Sequence, residues 1–271
     1  MWTNVSAYKF TEMLDFEQMR APLKKICDYH NLMGTILLSP EGINFVLSAA
    51  RDRIDAFVDH IRTDERFEDI WIKYSESEEC AFRKMNVRLK KEIISMGDPS
   101  IIPHEFTGAK IDPLEFKSWI DQGKELTILD TRNDYEIRLG TFENAVDFDI
   151  GSFRQFPQAV ANCDLPKDKP LVMFCTGGIR CEKASAVMLN QGFQEVYQIQ
   201  GGILNYFEQT NGAHWNGECF VFDRRVGLNG NLQETKSEVC WACREPLSIE
   251  EQKSPQFVQG MSCPYCIEVN K

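Results

Sequence analysis

Residues 171–192 read LVMFCTGGIRCEKASAVMLNQG, and this stretch limits the fold more than any other part of the chain. "PLVMF" is a short run of large apolar residues, the composition of a strand buried on both faces. "CEKASAVMLNQ" has a helical pattern and stops at Gly192. Between them Cys175, Thr176, Gly177, Gly178, Ile179 and Arg180 must turn a strand directly into a helix. That order belongs to α/β folds with parallel strands, where ligands bind beyond the carboxyl ends of the strands. Two adjacent glycines let backbone N–H groups converge on one point as an anion nest. The helix start adds partial positive charge, and Arg180 can add a full one. A free thiol has a pKa of about 8.5, and such surroundings depress it. The turn therefore suits a thiolate, or an anionic adduct on it. The alternative is a buried cysteine before an ordinary glycine turn. The coincidence of glycines, arginine and helix start weighs against that alternative.

The remainder divides around this unit. A length of 271 residues suggests about two domains and a small third. Residues 1–96 have the order β-α-β-β-α-β of a ferredoxin-like α+β domain. "VSAYKF" reads as a strand, 15–30 as a helix, and "GTILLSPEGINFVLSA" as two strands around a Pro-Glu-Gly turn. Ile54, Phe57, Val58 and Ile61 then fall at helical spacing, and "DIWIKYSES" returns as a strand. "FRKMNVRLKKEIISMG" follows as an alternating segment. Residues 97–111 carry Gly and Pro with no period and read as a linker. Asp112 is placed to cap a helix with Pro113 in its first position and Gly123 at its end. Over 112–212, strands and helical segments alternate, which predicts a mostly parallel sheet. The C-terminal extension, 213–271, has a strand expected over 219–223 and a cysteine-rich tail.

The tail has too few large apolar residues for a core of its own. Cys240 and Cys243 form one Cys-x2-Cys knuckle, Cys263 and Cys266 another, with 19 residues between them. That is zinc-ribbon spacing: four thiolates complete a tetrahedral, closed, structural site. Cys27, Cys80, Cys163 and Cys219 stand alone and read as packing residues. No apolar run approaches the roughly 18 residues that span a bilayer. "MWTNVSAYKF" lacks a basic start before an apolar core, so no secretory signal and a reducing cytoplasm are expected. The net charge of −11 argues against a generally basic, nucleic-acid-coated surface. It leaves room for a local patch: Arg83, Lys84, Arg88, Lys90 and Lys91 lie close together beside Phe82. Such a run can track a phosphate backbone, or it can be the solvated edge of a sheet.

Loop length bears on the chemistry. Cysteine phosphatases carry Cys-x5-Arg, a cradle for a phosphoryl group. Here the spacing from Cys175 to Arg180 is Cys-x4-Arg, one residue shorter, which better suits a single sulfur. "ILDTRNDYEIRLGTFENAVDFDI" resembles the opening signature of rhodanese domains, and "VYQIQGGILNY" their closing Gly-Gly signature. "SPEGIN", "CTGGIRCEKAS" and "HWNGECFVFDRRV", in that order, resemble one narrow family. It is the bacterial rhodanese-domain tRNA uridine hydroxylases, which make 5-hydroxyuridine at the wobble position. The resemblance implies that Cys175 is catalytic and that the amides of Thr176, Gly177, Gly178, Ile179 and Arg180 line its pocket. Cys181 is then a resolving or second catalytic thiol, or simply a small residue in the first helical turn. Asp130 and Arg132 are expected to steady the loop as a structural pair. The resemblance further implies molecular oxygen as co-substrate. Its implied partner is tRNA, met through the anticodon arm, with the run from Arg83 to Lys91 among its contacts. Nothing in the sequence resembles a flavin, haem or iron(II) site. Two other functions stay open: a sulfurtransferase carrying a persulfide on Cys175, and a zinc-tailed binding module whose loop is a relic. The intact Cys175 counts against the second of these.

Overall fold

Alternation of apolar and polar residues builds the first unit of this computed structural model, which describes residues 1–267. The chain divides into Met1–Thr107 and Gly108–Lys271. The first begins with β1 (Trp2–Phe10), α1 (Phe16–Tyr29), β2 (Met33–Ser39), β3 (Gly42–Ala49) and α2 (Arg51–Ile61). It continues with β4 (Lys73–Ser77) and β5 (Met85–Leu89). The sheet order is β4-β1-β3-β2-β5. The first four strands pair antiparallel, as a ferredoxin-like unit requires, and β5 adds to β2 in parallel. Ile36, Leu38, Ile43, Phe45 and Leu47 point to one face and are fully buried against Ile54, Phe57 and Ile61 of α2. Exchanging each of these side chains between water and core is worth about 1.5–3 kcal/mol, which fixes the register. Pro40 and Glu41 turn β2 into β3, with Ser39 paired to Gly42. Gly42 has φ +142°, and a Cβ there would lie 2.0 Å from the Lys9 carbonyl oxygen, so no other residue fits.

The second unit starts inside the stretch expected to be a linker. Residues 97–107 remain without helix or strand, but Ala109–Ile111 form β6, which pairs in parallel with β10 (Val196–Ile199). Three residues are too few to show a period, so only the partner strand reveals the pairing. Between them lie α3 (Pro113–Asp121), β7 (Thr127–Asp130), α4 (Asp134–Ile137), β8 (Gly140–Phe142), α5 (Phe156–Ala161), β9 (Leu171–Phe174) and α6 (Ile179–Asn190). Asp112 caps α3 by accepting from the Leu114 and Glu115 amides at 2.8 and 3.3 Å. The sheet runs β6-β10-β9-β7, parallel throughout, so β9 lies centrally with α6 packed on it. Val172, Phe174, Ile199 and Ile203 share one core with Phe142, Tyr206 and Phe207. Next come α7 (Gly202–Thr210), β11 (Trp215–Gly217), β12 (Cys219–Phe220) and β13 (Gly227–Leu228). The strand expected over 219–223 ends at Phe220, because Asp223 folds back onto Arg225 and closes a turn.

The tail holds β14 (Glu238–Val239), β15 (Pro246–Leu247) and the short α8 (Ile249–Gln252). Its small core is Leu247 and Phe257 around the four cysteines. Among the described residues no helix is long and apolar enough to cross a membrane.

Candidate active site

Cys175 follows β9 directly and is 1% exposed. Gly178 turns the chain with φ +95° and caps α6. Its N–H donates to Cys175 Sγ at 3.1 Å. A left-handed residue at this point is what aims the amide at sulfur, so the second glycine is needed for geometry. Burial alone would push the Cys175 thiol up. The Cys181 thiol, the Arg180 guanidinium and the N–H groups of Arg180 and Cys181 outweigh it and bring the pKa down to about 5. Cys181 goes the other way: burial and then the Cys175 thiolate beside it hold its pKa well above the ordinary value. One sulfur of the pair carries the charge and the other keeps its proton. Thr131 Oγ1 lies 3.6 Å from Cys181 Sγ and donates to the Phe174 carbonyl oxygen at 2.9 Å, tying β7 to β9 under the pair.

The loop is held from two sides. From α7, the Ile203 and Leu204 amides donate to the carbonyl oxygens of Cys175 and Thr176 at 3.0 and 3.2 Å. A Cβ at Gly202 would lie 2.3 Å from the Cys175 carbonyl oxygen, and φ there is +69°. The Gly-Gly pair of "QGGILNY" thus exists to bring α7 against the loop. From α4, Glu136 accepts both ends of the Arg180 guanidinium, Oε2 from Nη1 at 2.5 Å and Oε1 from Nη2 at 2.8 Å. Glu136 is fully buried, and Arg180 holds its carboxyl below the usual range against the upward push of burial. Glu136 Oε2 also accepts the Asn133 amide at 3.1 Å, closing the capping box of α4. Sequence reading placed Arg180 beside the thiolate as a full positive charge and missed Glu136, which neutralises it.

Asp130 and Arg132 form a buried bidentate pair, with Nη2 to Oδ2 at 2.7 Å and Nε to Oδ1 at 3.0 Å. Arg132 Nη2 donates further to the Gly140 carbonyl oxygen at 2.6 Å, and Thr141 Oγ1 donates to Asp130 Oδ2 at 2.8 Å. The pair therefore ties the end of β7 to β8, and neither group reaches the thiol. Removing one partner would bury the other charge alone, at a cost of about 3–5 kcal/mol. Cys219, read as a packing residue, is buried beside the loop among Arg132, Glu136 and Thr176, and burial pushes its thiol up to about 12. His214 is engaged away from the loop, with Nε2 2.7 Å from Asp121 Oδ1.

The four tail cysteines converge. Their sulfurs lie within 4.8 Å of one another, with Cys240 to Cys266 at 4.0 Å, Cys243 to Cys263 at 3.6 Å and Cys263 to Cys266 at 3.7 Å. Thiolates around a tetrahedral ion at about 2.3 Å would be about 3.8 Å apart, whereas a disulfide needs about 2.05 Å. This set fits a metal ion and not a pair of disulfides. The tail rests on α4: Arg138 binds Glu245 at 2.6 Å and lies over the Tyr265 ring at 4.0 Å. In the other unit, Arg83, Lys84, Arg88, Lys90 and Lys91 are all exposed on and around β5, the edge strand, while Val87 faces the core.

Comparison with known proteins agrees with this layout. One family model, described as UPF0176 acylphosphatase like domain, matches residues 2–93, and another, Rhodanese-like domain, matches residues 112–209. The tRNA uridine(34) hydroxylase of Cupriavidus necator is 49% identical, over 97% of this chain and 96% of its own length. Proteins of that name from Cupriavidus taiwanensis and a Picosynechococcus species are 48% and 43% identical, each over 97% of this chain. Relatives this similar over nearly the full length of both chains show that the chain belongs to the tRNA uridine(34) hydroxylase family.

Proposed function

We propose that the protein hydroxylates C5 of uridine 34, the wobble position of tRNA, using molecular oxygen and the Cys175 thiolate. Family membership supports the substrate and the reaction. One observation of the site supports this over sulfur transfer: the Arg180 charge is already taken by Glu136. Thiolate, guanidinium and carboxylate together leave the pocket with one negative charge. Arg180 is then not free to hold an anionic sulfur donor such as thiosulfate, whereas a neutral uracil ring needs no such cation. Cys175 is the catalytic thiol. Cys181 is the group that donates to it and keeps the second proton. The amides of residues 176–180 line the pocket, and Asp130 with Arg132 supports it from below. The tail binds zinc through Cys240, Cys243, Cys263 and Cys266 as a structural site.

Incorporation of one oxygen atom from O₂ releases the other as water and takes up two electrons, which an added dithiol supplies in an assay. Unmodified tRNA incubated with the enzyme under heavy-oxygen gas should yield labelled 5-hydroxyuridine at position 34, and none under argon. Thiouridine as product, or sulfur transfer from thiosulfate to cyanide alone, would replace this function with sulfur transfer.

The anticodon arm meets the basic run from Arg83 to Lys91. Each phosphate neutralised on RNA contributes about 0.7–0.9 to the slope of log affinity against log salt. Charge reversal of Lys90 and Lys91 should therefore flatten that slope by about one to two units and weaken tRNA binding. A slope equal to that of the wild type would remove the run from the tRNA contact.

A further inference from the structure

The turn after β12 holds an aromatic side chain in the open. Phe222 is 59% exposed, yet the backbone beneath it is tightly closed. Val221 N–H donates to the Val226 carbonyl oxygen at 2.8 Å, and the Arg225 amide donates to Asp223 Oδ1 at 3.0 Å. Arg225 also binds Asp223 through Nη2 at 2.6 Å, in a pair whose side chains are 9% and 8% exposed. The ring itself is braced edge-on by Phe220 at 5.0 Å between centroids, and Phe220 by Tyr135 at 5.7 Å. The Arg180 guanidinium lies over one face of the Phe222 ring, 5.8 Å from its centroid. After the Cys181 thiol, Arg180 does most, through its charge, to lower the Cys175 thiol. It does not need Phe222 to hold it, because Glu136 already takes both of its ends. A phenyl left in water forfeits the roughly 1.5–3 kcal/mol of its burial. Here it is neither buried nor loose, and Arg180 alone stands between it and the thiolate; the exposed Arg224 follows two residues along the same turn.

An exposed aromatic face with a cation alongside is how proteins take an unstacked base and its phosphate from single-stranded RNA. We propose that Phe222 is the stacking platform for the target base, presenting the uracil of nucleotide 34 to Cys175. This rests on the reading of the protein as a uridine 34 hydroxylase and adds the residue that positions the substrate. Phe222 touches the base but takes no part in bond making.

The test compares Phe222→Ala, Phe222→Leu and Phe222→Trp in the full chain. Stacking on an aromatic contributes enough that its loss should raise KM about five- to 150-fold for Ala and Leu. Trp keeps the π-face and should keep KM near that of the wild type. Titration of the Cys175 thiolate should be unchanged in all three, which separates stacking from collapse of the loop. The added indole of Phe222→Trp should be quenched by an anticodon stem-loop RNA carrying uridine 34, and not by the same RNA abasic at position 34. Unchanged KM and kcat in Phe222→Ala, alongside an active wild type, would overturn the platform. So would equal quenching by the abasic RNA, which would mark the turn as a general RNA or protein contact. A wild type inactive on uridine 34 would overturn the parent function instead, while the comparison of uridine with abasic RNA would still decide where the base lies.

Discussion

Cys175→Ser should leave a folded protein with no detectable hydroxylation of tRNA. Serine is nearly the same size, and its hydroxyl can accept the Gly178 amide that now reaches sulfur at 3.1 Å. What it cannot supply is an anion at neutral pH. With a pKa of about 5 for Cys175, the thiolate outnumbers the thiol about a hundredfold at about pH 7. Serine under the same conditions is essentially all neutral. The direction with pH follows: the charged form persists down to about pH 6 and is lost as pH falls through about 5. Far-ultraviolet thiolate absorbance, taken as the difference between wild type and Cys175→Ser, should therefore rise with a midpoint near 5 and not near the 8.5 of a free thiol. Because Cys181 holds its proton, it should contribute nothing to this step. A midpoint near 8.5, with activity retained in Cys175→Ser, would remove the thiolate from the reaction.

Loss of metal from the tail should unfold residues 238–267, with their short β14-β15 pair, and leave the two larger sheets intact. Elemental analysis of protein purified without chelator should find one zinc per chain. Apparent binding energies of about 10–16 kcal/mol are typical where a closed thiolate site folds with its metal, and the tail has little else to hold it. Its buried residues are Cys240, Cys263 and Cys266 with Pro246 and Leu247, and Cys243 is half-buried. After strong chelation under reducing conditions, limited proteolysis should cut between Cys243 and Cys263. The effect should extend to α4, because Arg138 loses both Glu245 and the Tyr265 ring. Glu136 lies two residues from Arg138, so hydroxylation should fall with the metal although no metal touches the pocket. Full protection of the tail after chelation would show that packing alone suffices.

The cysteine loop was legible because everything that shapes it is local. Strand, paired glycines and helix start are contiguous, and each has a backbone requirement that residue type reveals. The tail was legible for a related reason, since thiol spacing within each knuckle is set by a tight turn. Glu136 escaped because its partner is 44 residues away. In sequence it is only the third residue of a short capped helix, a role it also fills. Phe222 was hidden inside "FVFDRR", which reads as a continuing strand. The Asp223–Arg225 pair that stops the strand and exposes the ring is a side-chain event, not a pattern of hydrophobicity. Cys219 and β6 share that cause, since each takes its meaning from a neighbour distant along the chain.

The close approach of Gly202 to the loop also bears on how such a chain can change over generations. The start of α7 grips two successive loop carbonyls, those of Cys175 and Thr176, and leaves no space for a methyl group. An inserted residue that widened the turn toward the phosphatase spacing would slide one of those carbonyls off its amide. It would need a compensating change in α7, far along the chain, at the same moment. A change in loop length at Cys175 or Thr176 is therefore coupled to the start of α7. Diversification is then channelled into what surrounds the pocket, such as the aromatic turn, the tail and the basic edge, while the pocket itself keeps its size.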